Sequence, residues 1–109
     1  HTSNQQITSF NILFKYLNEG GLYLVEDTHT SYNKDFMDRK DNLTFTEYAK
    51  KITDNLNEWY IKKNYKEYKQ IVESVDVGYL AKHLYRVSFY NSIISFFKKQ
   101  SKIPRSELR

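Results

Sequence analysis

The sequence predicts an α/β fold with a helix, a buried strand, a long helix and a terminal antiparallel hairpin. Three patterns indicate this: a helical period near the start, an apolar run after two glycines, and an alternating stretch near the end. The chain has 109 residues, of which 39% are hydrophobic and 28% charged. This length and composition suit one domain with a modest core.

The first element is an amphipathic helix over Thr2 to Leu17. Ser3 and Gln6 have the spacing of a capping box, and Gly20-Gly21 offers a left-handed stop. The apolar stripe of this helix consists of Ile7, Phe10, Leu13, Phe14 and Leu17.

A short apolar run, Leu22 to Val25, predicts a strand that is buried on both faces. Such strands occupy the centre of a layered α/β sheet. One flanking helix layer cannot cover both faces, so we expect further strands from upstream in the chain or from a partner. The polar stretch from Thr28 to Asn42 predicts a long loop.

The second helix begins at Thr44, which forms a capping box with Glu47. Its apolar stripe, from Phe45 to Tyr60, indicates a long helix, and a weaker helical spacing continues to Val75. The alternating stretch from His83 to Tyr90 and the apolar run from Ile93 to Phe97 predict the hairpin, which a polar, basic tail follows from Lys98.

Composition excludes several classes of site. The chain has no cysteine, so disulfides, thiolate nucleophiles and Cys-ligated zinc are absent. The net charge of +4 is mild and does not identify a partner. Because the sequence lacks both a membrane-length apolar run and a signal peptide pattern, we expect a cytoplasmic protein without membrane contact.

Glu26 and Asp27 form the candidate site, because two carboxylates follow a buried strand. In open α/β sheets, ligands bind at the carboxyl ends of strands, and Mg²⁺ prefers carboxylate oxygens. Neighbouring strand residues point to opposite faces, so both can reach one ion only if the chain leaves the strand by Asp27. An acidic pair that only ends a strand and keeps the turn solvated remains the alternative.

The segment Gly20 to Tyr32, GGLYLVEDTHTSY, resembles the metal-dependent sugar O-methyltransferases of macrolide biosynthesis, which are class I S-adenosylmethionine-dependent enzymes. The hairpin SFYNSI (88–93) is similar to the family pattern, with Asn91 in place of the usual Asp, and FTEYAK (45–50) resembles a family helix start. The resemblance implies a Rossmann-like methyltransferase fold, of which residues 1–99 form the carboxyl-terminal half and residues 100–109 a basic tail. In this fold we expect the last strand, Ile93 to Phe97, to lie antiparallel to Leu22 to Val25.

The resemblance also implies a set of functional residues. Glu26 and Asp27 match the Mg²⁺ ligands, and His1 matches the general base that acts on a sugar hydroxyl. His29 and Tyr32 would line the pocket of the saccharide or other small-molecule acceptor. The Gly-rich cradle for S-adenosylmethionine is expected upstream of this chain, so we expect this piece alone to be inactive and the complete enzyme to be a candidate homo-oligomer.

Two other interpretations stay open. Residues 59–69 interleave aromatic side chains with lysines, as proteins that bind single-stranded nucleic acid do. The ring spacing fits a helical stripe with solvated lysines better, so nucleic acid is disfavoured as a partner. A non-catalytic domain that pairs its open sheet edge with a protein partner is the other interpretation.

Overall fold

The computed structural model describes residues 1–62 and 78–101 and consists of helices packed on a three-stranded sheet. The α-helices are α1 (Ser3–Leu13), α2 (Phe45–Leu56), α3 (Glu58–Lys62) and α4 (Tyr79–His83). The strands are β1 (Leu22–Glu26), β2 (Leu84–Tyr90) and β3 (Ile93–Lys98). Short 3₁₀ helices cover Phe14–Tyr16, Thr28–Tyr32 and Lys34–Phe36, where the sequence predicts the end of a helix and an irregular loop.

The strand order is β1-β3-β2, and both pairs are antiparallel. Leu22 pairs with Phe97 and Glu26 with Ile93, which confirms the predicted contact between the last strand and the apolar run. A tight turn at Asn91-Ser92 joins β2 to β3, as predicted, and Ser92 has a φ of 61°. This hairpin carries the second strand pair of the sheet.

The amino-terminal cap of α1 lies one residue earlier than predicted. Thr2 is the cap residue, and it shares a capping box with Gln5 instead of Ser3 with Gln6. Ser3 is buried, and its hydroxyl donates to the carbonyl oxygen of Phe36 at 3.2 Å. Since that hydroxyl is used in a tertiary contact, the neighbouring threonine caps the helix.

Thr44 caps α2 as predicted, because its hydroxyl accepts a hydrogen bond from the backbone nitrogen of Glu47 at 3.2 Å. The predicted long helix is interrupted at Asn57. The Asn57 side chain donates to the carbonyl oxygen of Thr53 at 2.8 Å, and this competition for a backbone acceptor favours a break. The predicted helical spacing up to Val75, and most of the segment 59–69, lie outside the described residues.

Phe10 lies at the centre of the core and is 1% exposed. Its ring lies 4.4 Å from that of Phe96 and 5.1 Å from that of Phe14, measured between centroids. Helix α2 supplies Phe45, Ala49 and Ile52 to the same cluster. The predicted stripe of α1 is correct at Ile7, Phe10 and Phe14, but Leu13 is exposed.

The prediction that β1 is buried on both faces is wrong for the described residues. Tyr23 and Val25 face the core, but Leu22 and Leu24 are 50% and 55% exposed. In the described part of the chain β1 is an edge strand that pairs only with β3. Alternation therefore leaves two leucines on the outer face of the sheet.

The end of the chain also differs from the prediction. His83 ends α4 instead of starting a strand, and Lys98 belongs to β3 and is buried, whereas the sequence suggests that the polar tail begins there. The backbone nitrogens of Lys99 and Ser101 donate to the carbonyl oxygens of His83 and Lys82. The predicted basic tail from residue 102 onward lies outside the described residues. In the described ranges, the helices are too short and too polar to cross a membrane.

Candidate functional site

The chain leaves β1 directly after Glu26. Asp27 has φ 57° and ψ 38°, a left-handed conformation that ends the alternation of the strand. Adjacent residues of a strand point to opposite faces, so two adjacent carboxylates can bind one ion only if the chain leaves the strand at the second of them. Glu26 and Asp27 line the same cleft, which has a volume of about 270 Å³.

His1 lies on the opposite wall of this cleft. Its Nε2 atom is 2.9 Å from Oδ2 of Asp27, although the two residues are 26 positions apart in sequence. Both side chains are accessible, with 64% of His1 and 49% of Asp27 exposed. The structure therefore brings together three of the residues that the sequence analysis selects: His1, Glu26 and Asp27.

The cleft follows the open edge of β1. Five consecutive residues, Tyr23 to Asp27, line it, and neighbouring residues of a strand can share a cleft only along the strand edge. Gln5, Gln6 and Ser9 of α1 form the other wall. Burial raises the pKa of the Tyr23 phenol above its ordinary value.

His29 and Tyr32 line a different cleft. This second cleft, of about 570 Å³, lies between the 3₁₀ helix Thr28–Tyr32, α2 and the β2–β3 turn. Nδ1 of His29 is 2.7 Å from Oγ of Ser92, and Tyr32 is 77% exposed. The structure thus separates the two predicted acceptor residues from His1 and the acidic pair.

The segment after Asp27 fastens the start of α1. Oδ1 of Asp38 accepts a hydrogen bond from the backbone nitrogen of Asn4 at 2.8 Å, which lowers the pKa of the Asp38 carboxyl. Nη1 of Arg39 donates to the Asn4 side chain at 3.2 Å. Buried Thr30 contacts the His1 carbonyl oxygen at 3.0 Å. Sequence reasoning missed these residues, since no local period links a loop to a distant helix end.

The donor set in the first cleft suits a hard cation. The described residues contain no group of three or more His, Cys, Asp or Glu side chains placed to hold a metal ion. The cleft nevertheless offers two carboxylates, and Mg²⁺ is commonly held by one or two carboxylates together with water and substrate oxygens. Glu26 and Asp27 therefore fit as a partial ligand set.

Comparisons with known proteins agree with the motifs. No family model matches the chain. Over 59 residues, 52% of its length, the chain is 42% identical to 8-demethyl-8-alpha-L-rhamnosyl tetracenomycin-C 2'-O-methyltransferase of Streptomyces olivaceus. The matched segment spans 16% of that enzyme.

Solved structures of a methyltransferase share the fold. The MycE methyltransferase of the mycinamycin biosynthetic pathway, in complex with Mg, SAH and mycinamycin VI, superposes with a TM-score of 0.69 at 21% identity over 92% of this chain. The same enzyme with Mg and SAH gives a TM-score of 0.70 at 22% identity. This chain spans 24% of the length of those structures.

One comparison rests on sequence identity, and the other on the arrangement of helices and strands. Together they support the resemblance: this α/β chain is similar in sequence to part of a rhamnosyl tetracenomycin-C 2'-O-methyltransferase, and similar in fold to part of the MycE methyltransferase.

Proposed function

We propose that this chain is the carboxyl-terminal half of the Rossmann-like domain of a metal-dependent sugar O-methyltransferase that uses S-adenosylmethionine. The observation that carries the proposal is the convergence of His1, Glu26 and Asp27 on one cleft at the carboxyl end of β1. This is the edge at which open α/β sheets bind their ligands. The similarity in sequence to a rhamnosyl tetracenomycin-C 2'-O-methyltransferase, and in fold to the MycE methyltransferase, supports it.

The exposed surface of β1 supports the proposal that the domain has a further half. Leu22 and Leu24 expose about half of their surface, and the edge of β1 that faces away from β3 has no partner strand in the described residues. Exposed apolar edge strands are prone to pair with other strands. Further strands along this edge would place β1 inside a larger sheet and occupy the part of the cleft beside Tyr23 to Val25, while its carboxyl end with Glu26 and Asp27 stays open. A layer packed on the outer face of that sheet would bury both leucines.

Glu26 and Asp27 would hold Mg²⁺. A bound Mg²⁺ orients the acceptor hydroxyl and lowers its pKa, which makes the oxygen a better nucleophile. Asp27 has two carboxylate oxygens, of which Oδ2 contacts His1, so Oδ1 is available for the ion. Glu26 is exposed at the end of the strand and contributes the second carboxylate.

His1 acts as the general base. When Nε2 donates its hydrogen to Asp27, Nδ1 carries the lone pair that accepts the proton of the acceptor hydroxyl. The Asp27 carboxylate then stabilises the imidazolium that forms. The acceptor oxygen bonds to the methyl carbon while the carbon–sulfur bond of the donor breaks, so a methyl ether and S-adenosylhomocysteine result.

The second cleft is the proposed site of the acceptor's remaining part. The aromatic rings of Tyr32, Phe89 and Tyr90 and the polar groups of His29 and Lys50 line it, and such a mixture suits a glycosylated small molecule.

We assign no residue of this chain to S-adenosylmethionine. The proposal includes a cytoplasmic location and a homo-oligomer, for which the exposed ring of Tyr85 offers contact surface.

A titration with Mn²⁺, followed by electron paramagnetic resonance, tests the metal site. We expect the unaltered chain to bind one ion, and Glu26→Gln and Asp27→Asn each to weaken binding at least about tenfold. Asp54→Asn is the matched control, because Asp54 is an exposed carboxylate on α2. Equal binding by all four proteins would contradict the metal role of the pair.

Methyl transfer tests the reaction. In the polypeptide that carries both halves, labelled S-adenosylmethionine should methylate a rhamnosylated polyketide in the presence of Mg²⁺. His1→Ala should lower kcat about 10²- to 10⁴-fold, the range for loss of a general base. Asp27→Asn should abolish most of the metal-dependent turnover.

A further inference from the structure

Thr30 is a buried polar residue in the short helix that follows Asp27. Its side chain is 4% exposed, and its Oγ1 atom lies 3.0 Å from two backbone carbonyl oxygens, those of His1 and Asp27. Buried hydroxyl groups almost always have a hydrogen-bond partner. This one therefore sits between the backbones of the two residues that face each other across the first cleft.

Of the two contacts of the Thr30 hydroxyl, we take the one with the His1 carbonyl oxygen to be the hydrogen bond that matters. A hydroxyl has a single hydrogen to donate, and the Asp27 carbonyl oxygen already accepts the backbone nitrogen of Thr30 at 3.1 Å. Among the described residues, we find no second donor to the His1 carbonyl oxygen. Thr30 thus links the backbone of His1, 29 positions earlier in the chain, to that of Asp27.

The contact between His1 and Asp27 needs such a link. Both side chains are about half or more exposed, and an exposed ion pair contributes little on its own because ordering two side chains costs entropy. His1 lies before the cap residue of α1, so the hydrogen bonds within that helix do not hold its carbonyl group. The buried hydrogen bond from Thr30 to the His1 carbonyl oxygen restricts the His1 backbone. The contact between His1 and Asp27 therefore costs less conformational entropy.

We propose that Thr30 is a positioning residue: its hydroxyl holds the backbone of His1 against that of Asp27, so that the imidazole and the carboxylate stay paired and the cleft keeps its ion-binding geometry. The inference rests on the proposed function and extends it to a residue that touches neither metal nor substrate. A purely local role, in which the hydroxyl only supports the turn at Asp27, is the contrasting interpretation.

Three variants separate these roles. Thr30→Val has almost the same shape and lacks the hydroxyl, whereas Thr30→Ser keeps it. Thr44→Val is the matched control, since Thr44 is 8% exposed, its hydroxyl accepts from the Glu47 backbone, and it lines neither cleft. Each protein is measured by Mn²⁺ titration and by the backbone NMR order parameter of Thr2.

We expect Thr30→Val to lower Mn²⁺ affinity about tenfold or more, the usual effect of losing an outer-shell partner. The Thr2 order parameter should fall from about 0.85 to below about 0.6. Thr30→Ser should restore both values, and Thr44→Val should change neither. The inference is overturned if Thr30→Val keeps both values, if Thr30→Ser does not restore them, or if Thr44→Val changes them as much.

The failure of the proposed function gives a different result. If the unaltered protein binds no Mn²⁺, the metal role of Glu26 and Asp27 is wrong, and the Thr2 order parameter alone decides whether Thr30 positions His1. If Mn²⁺ binds and Thr30→Val leaves its affinity unchanged, the proposed function stands and the positioning role of Thr30 is wrong.

Discussion

The Nζ atom of Lys98 lies 2.8 Å from the carbonyl oxygen of Leu17, 81 positions earlier in the chain. It also lies 3.2 Å from the carbonyl oxygens of Phe14 and Lys15. The side chain is 5% exposed, so a buried ammonium group with three hydrogens meets three acceptors at the end of the first helical segment. The carboxyl-terminal end of a helix has carbonyl groups without intrahelical partners and carries a partial negative charge. The ammonium group of Lys98 donates hydrogen bonds to these carbonyl groups, and its positive charge offsets the negative one.

Lys98→Met should destabilise the protein by about 2–4 kcal/mol, because three buried carbonyl groups lose a charged donor. Methionine keeps most of the apolar length of the side chain, so the decrease in unfolding free energy measures the contribution of the ammonium group. Urea unfolding, monitored by circular dichroism, measures the change. Lys82→Met is the control: Lys82 is exposed on α4, and its replacement should stay within about 0.5 kcal/mol. Equal effects would contradict the role of Lys98.

Phe10→Ala should cost about 3–5 kcal/mol of unfolding free energy. Phe10 is almost completely buried, and its ring contacts those of Phe14, Tyr23 and Phe96, so truncation leaves a cavity at the centre of the core. Tyr16→Ala is the matched control, since Tyr16 is an aromatic residue that is 81% exposed. Thermal unfolding of the two variants should differ by many degrees.

Acidic pH should destabilise the loop whose residues Asp38 and Arg39 hydrogen-bond to Asn4 at the start of α1. The hydrogen bond from Arg39 is the main cause that lowers the pKa of the Asp41 carboxyl to about 2, from 3.8 in the absence of such interactions. Because the folded-state pKa is the lower one, this contribution to stability is present above about pH 3.8 and is lost as the pH falls toward 2.

Asp41→Asn should therefore reduce the slope of unfolding free energy against pH between about 4 and 2, and leave the slope above pH 5 unchanged. Denaturant titrations at a series of pH values give the slopes. Asp54→Asn again serves as the control. A slope that matches that of the unaltered protein would show that Asp41 does not contribute.

Tyr32→Ala should separate acceptor binding from metal binding. Tyr32 lines the second cleft and not the cleft of His1, Glu26 and Asp27. In the active polypeptide we expect KM for the acceptor to rise about three- to tenfold, the value of one aromatic contact, while Mn²⁺ affinity stays unchanged. A loss of Mn²⁺ affinity would instead place Tyr32 in the metal site.

Local sequence signals predicted the elements near the site well. The acidic pair lies at the end of β1, Thr44 caps α2, and Ile93 opens a strand that is antiparallel to β1. These features depend on residues close in sequence, apart from the strand pairing, which the family resemblance suggested. The break at Asn57 was missed, because it depends on one side chain that competes for a backbone carbonyl.

The sequence alone determined the α/β class, the position of the acidic pair Glu26-Asp27 at the end of a strand, and the core stripe of Ile7, Phe10 and Phe14, because alternation and helical period are local properties. Only the tertiary structure decided that His1 meets Asp27, that His29 and Tyr32 line a separate cleft, and that Lys98 is buried under α1. Those relationships join residues far apart in sequence. They depend on how the helices and strands pack, and the residue spacing within one segment does not determine which distant segment it contacts.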